Sequence, residues 1–239
     1  MEQQPSRGRR IAFFGGSFDP PHLGHLAVAR AAQAALGLDT VLFAPVGAQP
    51  LKPLGSTASY EDRLALTRLA IANDAGFAVS LADAPKDGGA PNYTLNTLEH
   101  LREDLPRGSA LFCLMGADSF FGLRRWHRAA EIPFVAPLIV ASRPGQLLDG
   151  LKAALPEGLS LESGAGEDQT IAGVEMRTCM LRNLAGQTTP FYLLPGLNVE
   201  ISASDIRAGI RAAMDGQGGC QDLLPDAVFE AIRSRGLYR

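Results

Sequence analysis

Two histidines three positions apart close the run Gly15-Gly16-Ser17-Phe18-Asp19-Pro20-Pro21-His22-Leu23-Gly24-His25. Glycines let the backbone approach a ligand closely, and the unpaired N–H groups that open a helix attract anions. Imidazoles on the first turn of such a helix can each donate a hydrogen bond to a phosphate oxygen. A lone histidine is more often structural, but two in this setting point to phosphate chemistry. The run lacks the Gly-Lys-Ser/Thr ending of a P-loop and the G-x-G-x-x-G order of a dehydrogenase fingerprint, so hydride transfer and ordinary kinase chemistry lose weight.

The flanking pattern says how these residues are held. Ile11-Ala12-Phe13-Phe14 is a short apolar run ending in Gly-Gly, as a strand buried on both faces should be. From Leu23 to Leu36 apolar residues recur at helical spacing, and Gly37 stands where a C-terminal cap belongs. Thr40 to Ala44 reads as a second buried strand, so strand, helix, strand implies a right-handed parallel crossover. Ser59 and Asp62 form a capping box for the next helix. Phe77–Ser80, Ala110–Met115 and the stretch from Pro133 to Ala141 supply further strands, a helix is expected around Leu95–Arg102, and Phe191–Leu194 is a returning strand. Residues 145–190 show no sustained period and read as an irregular insertion. Ser202 or Ser204 caps a helix through Ile206, Ile210 and Met214, and Pro225 opens a last one. The alternation predicts an α/β fold, a Rossmann-like doubly wound parallel sheet with ligands at the carboxyl ends of its strands. It divides into a domain over 8–200 and a small C-terminal helical subdomain over 201–239.

Composition narrows the partners. The 239 residues are 46% hydrophobic and 20% charged, an ordinary globular balance. A net charge of −3 gives no general attraction to nucleic acid or anionic membrane, so a phosphate ligand needs a local site. The longest apolar stretch, Phe134 to Ala141, is interrupted by Pro137 and is far too short to cross a bilayer. The apolar run near the N-terminus stops at Gly15-Gly16, too short for a secretory signal, so the cytoplasm is the simplest address. Cys113, Cys179 and Cys220 are odd in number and widely spaced, which argues for buried thiols over a disulfide framework or a zinc site.

The run from Gly15 to His25 resembles the H-x-G-H signature of the nucleotidyltransferases related to class I aminoacyl-tRNA synthetases. Ile201-Ser202-Ala203-Ser204-Asp205-Ile206-Arg207 resembles their second signature, I-S-x-[ST]-x-[IV]-R, which holds the ATP β- and γ-phosphates. Asn92-Tyr93-Thr94-Leu95-Asn96-Thr97-Leu98-Glu99 is similar to the S-Y-T-x-D-T-L-E stretch of nicotinate mononucleotide adenylyltransferases. Gly116-Ala117-Asp118-Ser119-Phe120 followed by Trp126 resembles their G-x-D-S segment and ring-stacking tryptophan, and the stretch from Leu223 to Tyr238 is also similar.

That resemblance implies transfer of an adenylyl group from ATP to nicotinate mononucleotide, with pyrophosphate released. It assigns His22, His25, Lys52 and Arg207 to catalysis. ATP would be held by Gly15, Gly16, Ser17, Phe18, His22, Gly24, His25, Gly116, Asp118, Ser202, Ser204 and Arg207. Nicotinate mononucleotide would meet Lys52, Tyr93, Thr94, Asn96, Asp118 and Trp126. Mg²⁺ would arrive on the ATP phosphates, with no protein metal ligands. Nucleic acid and membrane are not expected partners, and homo-oligomerisation is left open. Asn96 stands where many relatives carry Asp, and Ser17 where Thr is common. Arg63 and Arg143 read as solvated or paired, and His100 as surface. Another transferase of the superfamily and a catalytically silent nucleotide sensor are the rival readings.

Overall fold

A computed structural model describes residues 8–52, 55–142, 148–162, 167–197, 201–214 and 220–239. Arg143 and Pro53 lie outside them. In chain order the first elements are β1 (Arg10–Gly16), α1 (Leu23–Leu36), β2 (Thr40–Pro45), α2 (Tyr60–Ile71), β3 (Phe77–Val79), α3 (Thr94–Asp104), β4 (Ala110–Gly116), α4 (Ala117–Phe121), α5 (Ile132–Val135) and β5 (Leu138–Ala141). There follow α6 (Leu148–Ala154), β6 (Leu159–Leu161), β7 (Glu167–Ile171), β8 (Val174–Asn183), β9 (Thr188–Leu194), α7 (Ala203–Met214) and α8 (Asp226–Arg235).

The sheet runs β3-β2-β1-β4-β5-β9-β8-β6, with β7 paired to β8. Pairings from β3 through to β9 are parallel, and those of β8 with β6, β7 and β9 are antiparallel. Strands buried on both faces need continuous apolar runs, and Ala12, Phe13, Val41, Phe43, Leu138, Ile139 and Val140 are each no more than 1% exposed. From β1 the chain winds outward one way to β2 and β3, and later the other way through β4 to β5. The strand order therefore reverses between β1 and β4, the place where ligands settle in such sheets.

Helix ends follow the local chemistry. Gly37 adopts the left-handed conformation at φ 57° and closes α1 with its N–H on the Gln33 carbonyl. The Ser59 hydroxyl accepts the Asp62 N–H at 3.0 Å and starts α2. Helices α7 and α8 place Ile206, Ile210, Val228 and Ile232 in the same core as Ala29 and Ala32 of α1 and Leu66 of α2. A second core, on the opposite side of the sheet, gathers Leu95, Leu98, Phe120, Ile132 and Leu151.

Two expectations need correction. The stretch 145–190 is not irregular where it is described: α6 leads into β6, β7 and β8, and the ten-residue β8 extends the sheet antiparallel to β9. The run from Pro133 to Ala141 is not all strand, because its first part belongs to the short helix α5 and only Leu138–Ala141 pairs with β4. A short apolar run is ambiguous between the two, and the chain needed a turn of helix to re-enter the sheet.

Candidate active site

The loop from β1 to α1 crosses the reversal point. Phe18 takes a positive φ of 47° and is 1% exposed, its ring packed edge-on against Phe14 at 5.6 Å and His25 at 4.9 Å. Its side chain is therefore core, and its backbone is what can face a ligand. The Asp19–Pro20 peptide is cis. His22 is extended and takes the cap position of α1, with its ring 3.7 Å from that of His25. His25 Nδ1 accepts the His22 backbone N–H at 3.2 Å, so the neutral ring carries its proton on Nε2.

Burial pushes the His22 imidazole down to about 4. The same cause, reinforced by His22 beside it, holds His25 well below its usual value. Both rings are neutral at pH 7, each with a single N–H to offer.

Around this turn the cations converge. Lys52 Nζ donates to the Ser17 hydroxyl at 2.9 Å, and Gln49 Nε2 does so at 3.0 Å. Burial, with Arg207 and Arg63 nearby, pulls the Lys52 ammonium below its usual value, an effect that Asp19 opposes. Arg207 Nη1 donates to the Asp19 carbonyl at 2.7 Å, and its Nη2 to the Ser204 hydroxyl at 3.2 Å. The Ser202 hydroxyl accepts the Ser204 N–H at 3.2 Å and so caps α7. The Asp19 carboxylate accepts the Thr57 and Ala58 N–H groups at 2.6 and 3.1 Å. Burial beside Asp19 pushes the Tyr238 phenol far up.

Arg63 corrects an expectation. It is 2% exposed rather than solvated, with Nη1 on the Ser17 carbonyl at 2.6 Å and Nη2 on the Val46 carbonyl at 2.8 Å. It ties the loop after β1 to the loop after β2. A single arginine on an amphipathic helix gives no sequence signal of this; only the backbone carbonyls of Ser17 and Val46, remote in sequence, create the need.

Most of these groups open on one cleft of about 1030 Å³, which Arg63 and Tyr238 do not line. Gly15, Gly16, Gly24, His22, His25 and Lys52 line one side of it, with Ser202, Ser204 and Arg207 beside them. Tyr93, Thr94, Gly116, Asp118 and Trp126 line the rest. Every candidate catalytic or binding residue from the sequence is there except Asn96, which sits within α3 and does not reach the cleft wall. Trp126 is partly buried against the second core, with the rest of it on the wall. Tyr93 precedes α3, so the first turn of that helix also opens here. The sequence reading gave no role to His127, whose ring stacks on Tyr93 at 4.5 Å, nor to Asn92, which bridges the Ala48 N–H and the Ala84 carbonyl. It also passed over Asp83.

A cytidylyltransferase-like family model matches residues 13–209. A protein of Gloeobacter violaceus named as a nicotinate-nucleotide adenylyltransferase is 37% identical over 231 residues, 97% of each chain. One of the same name from Dechloromonas aromatica is 34% identical over 229 residues, 96% of this chain and 97% of its own. The chain belongs to the nicotinate-nucleotide adenylyltransferase family.

The fold agrees across greater distance. A Plasmodium falciparum nicotinic acid mononucleotide adenylyltransferase complexed with NaAD superposes with a TM-score of 0.64 at 15% identity, over 96% of this chain and 97% of that one. Another structure of that enzyme, complexed with APC, gives the same score at 14% identity. The chain therefore shares its length with the curated relatives and its doubly wound sheet with the solved structures.

Proposed function

We propose that this chain transfers the adenylyl group of ATP to nicotinate mononucleotide, forming nicotinate adenine dinucleotide and pyrophosphate in NAD synthesis. One observation carries the reading: the N-termini of α1 and α7, bridged by the Arg207 contact to Asp19, face the same cleft as the N-terminus of α3 and the Trp126 ring. Two anion grips on one side suit a triphosphate, while a third grip beside an aromatic plane suits a pyridine carboxylate.

The nucleophile is the mononucleotide phosphate, mostly dianionic at pH 7 because its second pKa is about 6, so no general base is needed. The difficulty is repulsion: unit charges about 4 Å apart cost about 4 kcal/mol at an effective dielectric of about 20. His22 and His25 donate to the α- and β-phosphate oxygens, where being neutral they lose little hydration on closing around the ligand. Lys52 and Arg207 supply positive charge, Lys52 toward the incoming phosphate and Arg207 toward the leaving pyrophosphate. The backbone of Gly15, Gly16 and Ser17 approaches the phosphates, and the Tyr93 and Thr94 N–H groups hold the carboxylate. Trp126 stacks on the ring and Asp118 takes a nucleotide hydroxyl. In-line displacement at the α-phosphorus then follows from position and charge neutralisation.

No group of three or more His, Cys, Asp or Glu among the described residues could hold a metal ion, and Asp19 is committed to two backbone N–H groups. A Mg²⁺ carried on the ATP oxygens would add charge neutralisation beside Lys52 and Arg207. No helix of the described residues is long and apolar enough to cross a membrane, and we read the enzyme as cytoplasmic.

The test is pyrophosphate release from ATP and Mg²⁺ with nicotinate mononucleotide, nicotinamide mononucleotide or phosphopantetheine in separate reactions. Release with nicotinate mononucleotide well above the others is the expected result. Release only with phosphopantetheine would overturn the substrate, and none with any would favour a silent sensor.

A further inference from the structure

One buried carboxyl in the cleft has no task in the reaction derived above. Asp83 follows β3, is 4% exposed and lines the cleft. Its Oδ1 accepts the Thr97 hydroxyl at 2.5 Å, and its backbone carbonyl accepts the Gly47 N–H at 2.7 Å. Oδ2 has no hydrogen-bond partner among the described residues. It faces Gly15, where a Cβ would stand 3.7 Å from it. It is not among the fully enclosed polar atoms that lack a partner, so it opens onto the cleft.

A polar atom nearly buried and unpartnered beside a ligand site is a contact waiting for the ligand, because native structures rarely leave such groups unmet. The ligand group it meets is set by its neighbours. Phosphates are drawn to Lys52, Arg207 and the α1 turn. On the Asp83 side stand Asn92, Tyr93, Thr97 and Cys113, none of them cationic, and the nearest cation is Lys86 on the same loop. Burial raises the Asp83 carboxyl toward its neutral form, an effect opposed by the Thr97 hydrogen bond and Lys86. A sugar hydroxyl both donates and accepts, so it suits a carboxyl in either protonation state.

We infer that Asp83 Oδ2 hydrogen-bonds a ribose hydroxyl of the mononucleotide substrate, which makes Asp83 a residue that selects ribonucleotide over deoxyribonucleotide. The inference rests on the function proposed above. A site built to bond a hydroxyl rejects the analogue that lacks it, since its own polar atom is then left unmet.

The experiment compares wild type, Asp83→Ala, Asp83→Asn and Thr97→Val on nicotinate mononucleotide and its 2′-deoxy and 3′-deoxy analogues, with ATP binding and thermal melting as controls. Wild type should lose about tenfold in kcat/KM on one of the analogues. Asp83→Ala should fall to that level on the ribonucleotide and no longer discriminate, with its KM for ATP unchanged. Asp83→Asn, which keeps an acceptor for Thr97 and a polar atom in the cleft, should retain most discrimination, as should Thr97→Val. If Asp83→Ala does not fold, the Asn variant decides: a loss of ATP affinity with discrimination intact overturns the inference. So does equal loss by Asp83→Ala on ribo and deoxy substrates, or a Thr97→Val variant that behaves like Asp83→Ala, because either would make Asp83 a mere support for α3. Absence of wild-type turnover on nicotinate mononucleotide would instead sink the function and this inference together.

Discussion

The two proposed phosphate grips are built differently. At α1 the grip is made of side chains already in the core: His22 is 6% exposed, Phe18 and Arg63 are sealed beneath the loop, and hydrogen bonds to Ser17 and Val46 brace it from behind. At α7 the grip is half open, with Ser204 exposed, and it is tied to the rest by the Arg207 reach to Asp19. The buried grip cannot adjust without unpacking a core, so its geometry is ready before ATP arrives. The open grip can part from the cleft by giving up a few polar contacts, which suits the end from which pyrophosphate leaves. On the proposed function, positioning the reacting phosphorus and releasing the product would be divided between two helix ends.

If that contrast is right, substitutions in the buried grip should cost more than those in the open one. His25→Ala should lower kcat by about 10²–10³-fold, the loss typical of one preorganised donor, with the melting temperature little changed; an unaltered kcat would remove His25 from the chemistry. Arg63→Met should destabilise the fold by about 3 kcal/mol in denaturant titrations, since two buried carbonyls lose a charged donor. A loss in kcat/KM for ATP should accompany it, and Arg63→Lys should recover only part of either.

His22 offers a pH test of the same burial. Its proton leaves near 6.5 in the unfolded chain and at about 4 in the folded one, so between those values the unfolded state holds more protons. Stability should therefore fall as pH drops through that window, by about 2–3 kcal/mol, and be level above it. His22→Gln should lessen this fall and leave the share that His25 contributes; a profile identical to wild type would mean that the His22 ring is not shielded. In the open grip, Arg207→Ala should cost about tenfold in kcat/KM for ATP, and Ser202→Ala only about 1 kcal/mol of local helix stability, readable as faster amide exchange at the start of α7. Equal losses at the two grips would dissolve the comparison.

The glycine-histidine run, the buried strands and both capped helices could be read from sequence because each is a local signal: period, punctuation and cap chemistry all fall within a dozen residues. Asn96 shows the limit of motif spacing, since it sits inside the stretch that brings Tyr93 and Thr94 to the cleft yet does not reach the wall itself. Arg63 and Asp83 were illegible for another reason. Their partners lie 46 and 14 residues away, so nothing around them in sequence marks them as buried. The antiparallel extension was missed because β8 buries only Met176, Cys179 and Leu181 along ten residues, which is too sparse to make an alternation.

The bond from Arg207 to Asp19 spans 188 positions. A chain emerging from the ribosome can form β1, its glycine turn and α1 early, yet it lacks half of the proposed triphosphate clamp until α7 has been made and docked. On the proposed function, growing chains would hold no complete ATP site, and the nucleotide pool would meet this chemistry only in molecules whose sheet, cores and late helices have all closed around the first turn.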